Sequence, residues 1–282
     1  MAASSLYPRI VAIESIEEYS ANIKGFFFEE EFLAKMASPG QFAMLWIPGV
    51  DEIPLAFARI DHVTRIIGFI VQRVGTGTQR LFQLKKGDRV GIRGPFGNGF
   101  DLALWERREV FIVGGGVAMA PLMPLVSFEG AQKSLDIFYG AKNQDSLAID
   151  ELTDRQKLAS SQLHIATEDG SVGEQGTVVD LVRSQLSNSR NKSPLILAAG
   201  PERMLLALHT LLLEKVPKGN WEFSLCDRYM KCGFGICGSC SLDELGLRLC
   251  VEGPVLGRRV LSQLKSFGNY GRDACGQKEY FK

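Results

Sequence analysis

Neither sign of charge is in surplus in this chain: its 282 residues carry 32 Lys and Arg against 32 Asp and Glu, a formal net charge of zero. A balanced chain exerts no long-range pull on a polyanion, so neither nucleic acid nor an anionic membrane is expected as a partner. Long apolar runs are lacking as well. The stretch 193–200 is among the longest and falls far short of the ~20 residues of a membrane-spanning helix. The opening residues, Met-Ala-Ala-Ser-Ser-Leu-Tyr-Pro-Arg, have no charged-then-apolar build of a secretory leader, so a soluble, cytoplasmic protein is expected. Histidine is scarce: His62, His164 and His209 are scattered without metal-ligand spacing and are expected to be surface or packing residues. No internal repeat or low-complexity tract occurs. What the chain does have is 30 glycines and six cysteines, and glycine at this level suggests tight backbone turns around ligands.

Five of the six cysteines fall between positions 226 and 250. In Cys232-Gly-Phe-Gly-Ile-Cys237-Gly-Ser-Cys240 three are spaced C-x4-C-x2-C, and Cys250 follows in Leu-Arg-Leu-Cys-Val-Glu-Gly-Pro. This is the arrangement by which plant-type ferredoxins bind a 2Fe-2S cluster. Four thiolates must converge on two irons, so three come from one tight loop and the fourth from a segment folded back beside it. Gly233, Gly235 and Gly238 interleave with the cysteines, as a loop needs if its backbone is to take positive φ and bring N–H groups to the sulfurs. A structural zinc site, usually two C-x2-C knuckles, finds only one such pair here, Cys237 and Cys240. A disulfide framework belongs to an oxidising compartment and a short secreted chain. Buried or redox-sensing thiols are the remaining alternative. Cys226 reads as a buried thiol, and Cys275 has no assigned role.

Before the cysteines the chain has two rhythms. From Pro8 to Phe100, short apolar or alternating runs at 9–14, 22–29, 41–46, 66–73 and 89–93 are punctuated by Pro39-Gly40, Pro48-Gly49 and Lys86-Gly87-Asp88. Such spacing predicts a small antiparallel β-barrel, with no capped helical period before Thr78. Afterwards strands predicted at 109–113, 134–139, 163–167 and 195–199 alternate with helices at 117–126, after 176 and at 202–214, the signature of a doubly wound parallel α/β sheet. The expected division is a barrel over 1–103, an α/β domain over 104–220 and a small cluster domain with a tail over 221–282, the first boundary falling near 101–107. The last piece is too small for a large core, so metal–thiolate bonds would supply much of its stability. The tail after Val260 is polar and weakly patterned.

Three glycine-bearing turns are candidates for binding phosphate. Val74-Gly75-Thr76-Gly77-Thr78 precedes a helix expected at 78–84, where free N–H groups and the helix dipole favour an anion. The run Gly114, Gly115 and Gly116 closes a buried strand, and Gly200-Pro201 closes another. Ligands of doubly wound sheets bind at such carboxyl ends. The spacing is not the Rossmann fingerprint, and Asp136 does not stand where its acidic partner would. For each turn the plain alternative is a helix start without a ligand.

Taken together, Gly-Gly-Gly-Val-Ala-Met-Ala-Pro-Leu, Gly-Pro and the cysteine run resemble the ferredoxin-NADP reductase superfamily. Met-Lys-Cys-Gly-Phe-Gly-Ile-Cys-Gly-Ser-Cys and Cys-Val-Glu-Gly-Pro-Val narrow the resemblance to the electron transfer subunits of dihydroorotate dehydrogenase, over 8–257. The resemblance implies FAD on the barrel, a 2Fe-2S cluster ligated by Cys232, Cys237, Cys240 and Cys250, and NAD as electron acceptor at Gly114, Gly115, Gly116, Gly200 and Pro201. It implies flavin contacts from Pro54, Leu55 and Ala56, from Ile70, Val71 and Gln72, and from Gly77 and Thr78. It also implies an FMN-containing catalytic subunit that oxidises dihydroorotate in pyrimidine biosynthesis, in a two-plus-two heterotetramer. Four departures stand out. Ile53 and Ala56 replace the family's phosphate-pairing arginine and ring-bonding serine, so another cation, Arg59 or Arg73, is called for. Ala118 and Ala199 replace a glycine and a cysteine frequent in the superfamily. A second circuit, NAD(P)H driving reduction of ferredoxin, sulfur compounds or an oxygenase, fits the same residues, and so does a flavin-free redox-sensing module.

Overall fold

The computed structural model describes residues 6–105, 109–126, 135–148, 162–188 and 193–281. The expected boundary residues 106 and 107 and the expected strand start at Ser134 lie outside them.

The first eight strands are β1 (Arg9–Ala12), β2 (Ser15–Ser20), β3 (Ile23–Glu29), β4 (Phe42–Ile47), β5 (Asp51–Ala56), β6 (Arg59–Asp61), β7 (Ile66–Gln72) and β8 (Arg89–Phe96). They form two antiparallel four-stranded sheets, β1-β8-β4-β5 and β2-β3-β7-β6, closed around Phe26, Phe28, Ala43, Leu45, Ile47, Phe57, Phe69 and Ile92. Alternation along β3 explains the triple phenylalanine. Phe26 and Phe28 point into this core, while Phe27 lies across Gly68 on the neighbouring strand and takes Arg59 over its ring at 4.2 Å. β2, β5 and β6 were not foreseen, because their sequences are polar or interrupted by Pro54. A further departure is the short helix Glu31–Met36, where a helix was not expected. It starts because the Glu30 carboxylate accepts the Leu33 N–H, a capping bond that offsets its shortness. The helix expected at 78–84 runs instead over Thr76–Leu81.

β4 is buried on both faces from Phe42 to Leu45. Ala43, Leu45 and Ile47 fill the barrel, whereas Phe42 and Met44 join a separate core with Phe96, Leu242, Leu249, Cys240 and Cys250. The outer face of the sheet β8-β4-β5 is therefore a floor for the C-terminal segment.

The second half is built on one seven-stranded sheet. Its strands are β9 (Val110–Gly115), β10 (Leu135–Ala141), β11 (Gln162–Thr167), β12 (Glu174–Gln175), β13 (Leu195–Ala199), β14 (Trp221–Ser224) and β17 (Val255–Gly257), in the order β12-β11-β10-β9-β13-β14-β17. All pairings are parallel except that of β14 with β17. With helices Val178–Asn188 and Glu202–Lys215 this is the doubly wound layout. Trp221 opens a strand that extends the sheet, and β17 closes it, so the cysteine segment between them is anchored at both ends. That segment adds the small hairpin β15 (Ser241–Leu242) and β16 (Leu247–Arg248).

The tail is more structured than its composition suggests. Leu264 and Phe267 are buried, and β18 (Tyr270–Arg272) pairs with β19 (Lys278–Tyr280). Arg228 forks onto Glu202 at 2.8 and 2.7 Å and donates to the carbonyls of Ser266 and Tyr270, and both side chains of the ion pair are buried. No helix among the described residues is long and apolar enough to cross a membrane.

Candidate electron-transfer site

The cysteine loop departs from the anchored end of β14 and returns through Cys250. Gly233, Gly235 and Gly238 have φ of 80°, 89° and 73°, the left-handed conformations expected of them, which side-chain-bearing residues rarely adopt. The turns aim N–H groups inward. The Cys232 sulfur accepts from the N–H groups of Cys237, Phe234 and Ile236 and contacts the Cys237 thiol; burial opposes its ionisation, and these bonds together hold it down to about 7. Cys240 hydrogen-bonds to the Cys250 thiol, the main reason that it too sits at about 7, and Cys250 is pushed up by sharing that proton. The Cys250 N–H lies 3.5 Å from the Cys240 sulfur.

The four thiols thus stand as two pairs, Cys232 with Cys237 and Cys240 with Cys250. Each pair feels the other's charge, Cys237 acting on Cys240 and Cys232 on Cys250. Among the described residues no three His, Cys, Asp or Glu side chains close around a single metal ion. Two pairs are the ligand set that a binuclear centre asks for, two thiolates to each iron. Cys226, six residues upstream, is half-buried; burial pushes its thiol up to about 12. Cys275 is exposed.

Two arginines grip the loop by its carbonyls. Arg248, forked onto Glu252, donates to the Gly235 carbonyl at 3.0 Å. Arg93 of β8 donates to the Cys232 carbonyl at 3.0 Å. The turn after β8 adds the Asn98 N–H to the Gly253 carbonyl at 2.5 Å.

The residues expected at the flavin spread over three neighbouring elements. In the β4/β5 register Met44 faces Pro54 and Phe42 faces Ala56, so Pro54 and Ala56 share the outer face that carries the cysteine loop, while Leu55 packs toward the barrel core. On β7, Val71 is inside the barrel. Ile70 instead joins the core of the nucleotide sheet with Met119 and Ala120, and Gln72 ends the strand. Gly77 lies in the helix Thr76–Leu81, where a Cβ would come within 3.0 Å of Ile53; Thr78 accepts the N–H groups of Val74 and Gly75. The two cations suggested as substitutes have other engagements. Arg59 rests on Phe27, and Arg73 donates to Asn22 at 2.9 Å and lies over Phe82. Arg73 also lines a cavity of about 290 Å³ with Glu18, Lys24 and Gln79, which includes none of the expected site residues.

Gly114 and Gly115 end β9, and Gly116 turns with φ of 54° into the 3-10 segment Gly116–Leu122. β13 lies beside β9 and ends at Ala199, which brings Gly200 and Pro201 against this turn. A Cβ on Gly115 would lie 2.6 Å from the Met204 sulfur and 2.9 Å from Pro201 Cδ. Because β10 and β13 flank β9 on opposite sides, this is the switch point of the sheet, where doubly wound folds bind nucleotides. Tyr139, fully buried, donates to the Gly116 carbonyl at 3.1 Å and accepts the Ala148 N–H at 3.0 Å. The segment Gly116–Leu122 contacts β7, so the glycine turns and the cysteine loop flank the same barrel.

Barrel, doubly wound sheet and cysteine loop define a flavoreductase-type electron-transfer protein. Known proteins agree. An oxidoreductase NAD-binding domain matches residues 112–210 and the iron-sulfur cluster binding domain of dihydroorotate dehydrogenase B matches 227–261. A probable dihydroorotate dehydrogenase B (NAD(+)) electron transfer subunit of Methanothermobacter thermautotrophicus is 37% identical over 96% of this chain and 97% of its own. One from Methanocaldococcus jannaschii is 36% identical over 97% and 99%. A chain of the NADH-dependent reduced ferredoxin-NADP oxidoreductase superposes with a TM-score of 0.74 and 25% identity, over 92% of this chain and 94% of that one. A Neisseria gonorrhoeae ferredoxin NADP+ reductase with bound FAD and NADP shares the fold at 0.62 and 11% identity, over 74% and 92%. The chain belongs to the family of dihydroorotate dehydrogenase B electron transfer subunits. It is an oxidoreductase subunit for electron transfer in pyrimidine biosynthesis, and a catalytic subunit is its partner.

Sequence reasoning missed Arg93, Arg248, Tyr139 and the Glu202–Arg228 pair. Arg248 ends the hairpin strand β16, two residues before Cys250, a signal that could have been used. Arg93 stands 139 positions from its carbonyl partner, and no local pattern announces it.

Proposed function

We propose that Cys232, Cys237, Cys240 and Cys250 hold a 2Fe-2S cluster. FAD is held at Pro54, Leu55, Ala56, Ile70, Val71, Gln72, Gly77 and Thr78, of which Pro54 and Ala56 lie on the outer barrel face. NAD meets Gly114, Gly115, Gly116, Gly200 and Pro201. The supporting observation is the shared outer face of β8-β4-β5, which carries the cysteine loop and presents Pro54 and Ala56. The circuit runs from the FMN of a dihydroorotate-oxidising subunit toward NAD. The bound cluster supplies one-electron transfer, and the flavin supplies conversion between single electrons and a hydride. On this reading the chain's own task is spatial. Two arginines and the glycine turns orient the thiolates, Ile70 joins the barrel to the nucleotide turns, and the tight approach of Gly115 to Pro201 shapes the floor under the dinucleotide. Barrel, nucleotide domain and cluster domain are taken as 1–103, 104–220 and 221–282. The assembly is a two-plus-two heterotetramer in the cytoplasm, a compartment in which an unbridged thiol set keeps its ligands available.

Co-expression with the catalytic subunit tests this. The complex is expected to contain FMN, FAD and about two irons per electron-transfer chain, and to form NADH from NAD when given dihydroorotate. A colourless chain with stoichiometric zinc sinks the proposal. A second reading, a reductase subunit that passes electrons from NAD(P)H to ferredoxin, sulfur compounds or an oxygenase, is favoured by the superposition on the NADH-dependent ferredoxin-NADP oxidoreductase chain. NAD(P)H-driven ferredoxin reduction without any dihydroorotate-oxidising partner would select it.

A further inference from the structure

The outer barrel face and the cysteine loop are joined through one buried cation. Arg93 is only 9% exposed. Its Nε donates to Glu52 Oε1 at 2.6 Å and its Nη2 to Glu52 Oε2, while Nη2 also donates to the Cys232 carbonyl at 3.0 Å. The guanidinium lies 5.4 Å from the ring centre of Phe96 and 5.6 Å from that of Phe234, one ring from the barrel and one from the cysteine loop. Glu52 is two residues before Pro54 on β5. Arg93 faces Met44, which in turn faces Pro54. The fork, the carbonyl bond and the two rings therefore tie the strand proposed to touch the flavin to the first of the proposed cluster ligands.

Only arginine suits this place. Its planar fork engages the carboxylate with two bonds and leaves a further donor for the carbonyl, while its faces rest on aromatic rings; lysine offers a point charge without the fork. The pair is neutral overall but oriented, with its positive end donating to the loop. Fixed positive charge on that side favours the cluster when it has gained one electron and its net charge has become more negative by one. Gly233 shows how closely the loop sits on this floor, for a Cβ there would lie 2.9 Å from Met44 Cγ and 3.2 Å from Phe96.

The geometry points to Arg93 as a positioning residue for electron transfer, with Glu52 as its anchor: it fixes the Cys232 turn against the flavin-facing strand and favours the reduced cluster. This rests on the cofactor reading above.

The test compares wild-type chain, Arg93→Gln, Arg93→Lys and Glu52→Gln, each purified with the catalytic subunit, by iron content, electron paramagnetic resonance of the reduced cluster and redox titration. In Arg93→Gln the ratio of reduced to oxidised cluster at a fixed potential is expected to fall about tenfold, as loss of a buried charge-assisted contact implies, and the resonance spectrum to shift. Arg93→Lys is expected to restore most of the ratio but not the wild-type spectrum, because charge returns without the fork. Glu52→Gln is expected to alter the spectrum with iron retained. Unchanged spectra and ratios in all three variants overturn the inference. So does unfolding of the variants without any cluster-specific change, which would make Arg93 a core fastener. A wild-type chain without a 2Fe-2S signal breaks the cofactor reading itself, whereas a normal wild-type signal with unmoved variants breaks only the role given to Arg93.

Discussion

The cysteine loop and the glycine turns at β9 and β13 are both backbone-shaped sites, yet they are made in opposite ways. In the cysteine loop the chemistry sits in named side chains, and three positive-φ glycines serve to deliver N–H groups to sulfur. At the glycine turns the function lies in missing side chains: Gly115 and Gly200 are close because β9 and β13 pair in parallel. The first site is a ligand set within 19 consecutive positions; the second exists only once the sheet has formed. A thiolate site is therefore expected to fail by losing its occupant, and a close-approach site by losing packing.

Replacing Cys237 by Ser tests the first half of that contrast. The variant is expected to fall from about two irons per chain to almost none while retaining its flavin, measured by metal analysis and visible spectrum. Unchanged iron would show the ligand set to be wrong. A smaller but still large effect is expected where the two regions meet. Glu202 follows the Gly200-Pro201 turn and Arg228 precedes the cysteine loop, so Arg228→Met strands a buried carboxylate that also accepts the Gly268 N–H. Loss of about 3–5 kcal/mol is expected from such a break, seen in denaturant unfolding. A change under about 1 kcal/mol would mean that the tail is not fastened through this pair.

Gly115→Ala probes the second half. The added methyl group must displace Met204 or Pro201, and overpacking of this kind costs about 1–3 kcal/mol. Thermal unfolding should record it, together with weaker NADH binding and an intact cluster spectrum. Unaltered stability and binding would show that the turns have slack.

The mildest probe changes no residue. In cluster-free chain, alkylation of Cys232 should rise steeply around pH 7, because its thiol is held at about 7, below the ordinary 9.0. As pH falls below 7 the thiolate is protonated and the rate drops. Cys226, pushed up to about 12, should stay unreactive through the same range. Equal rates at the two thiols, followed by mass spectrometry, would contradict the local fields described for this loop.

Much of the fold was legible. The apolar run Phe42–Ile47 and the alternation of strands and helices after position 109 follow from periods that any solvent-exposed chain must respect. β2 and β6 were not legible, since Ser15–Ser20 and Arg59–Asp61 are polar and owe their strand state to pairing with β3 and β7. The tail was read as polar and only weakly patterned, although Leu264 and Phe267 are buried. Its anchors, Glu202 and Arg228, are distant in sequence and gain meaning only as a pair.

By itself the sequence determined the identities and spacing of Cys232, Cys237, Cys240 and Cys250 and the glycines between them, because a loop of this length has few ways to converge its thiols. Only the tertiary structure decided that the thiols stand as two pairs, that Arg93 reaches Cys232 across the barrel floor, and that β14 and β17 bind the segment into the nucleotide sheet. The contacts of Arg93, β14 and β17 join positions tens to more than a hundred residues apart. Burial and strand pairing, not neighbouring residues, bring them together.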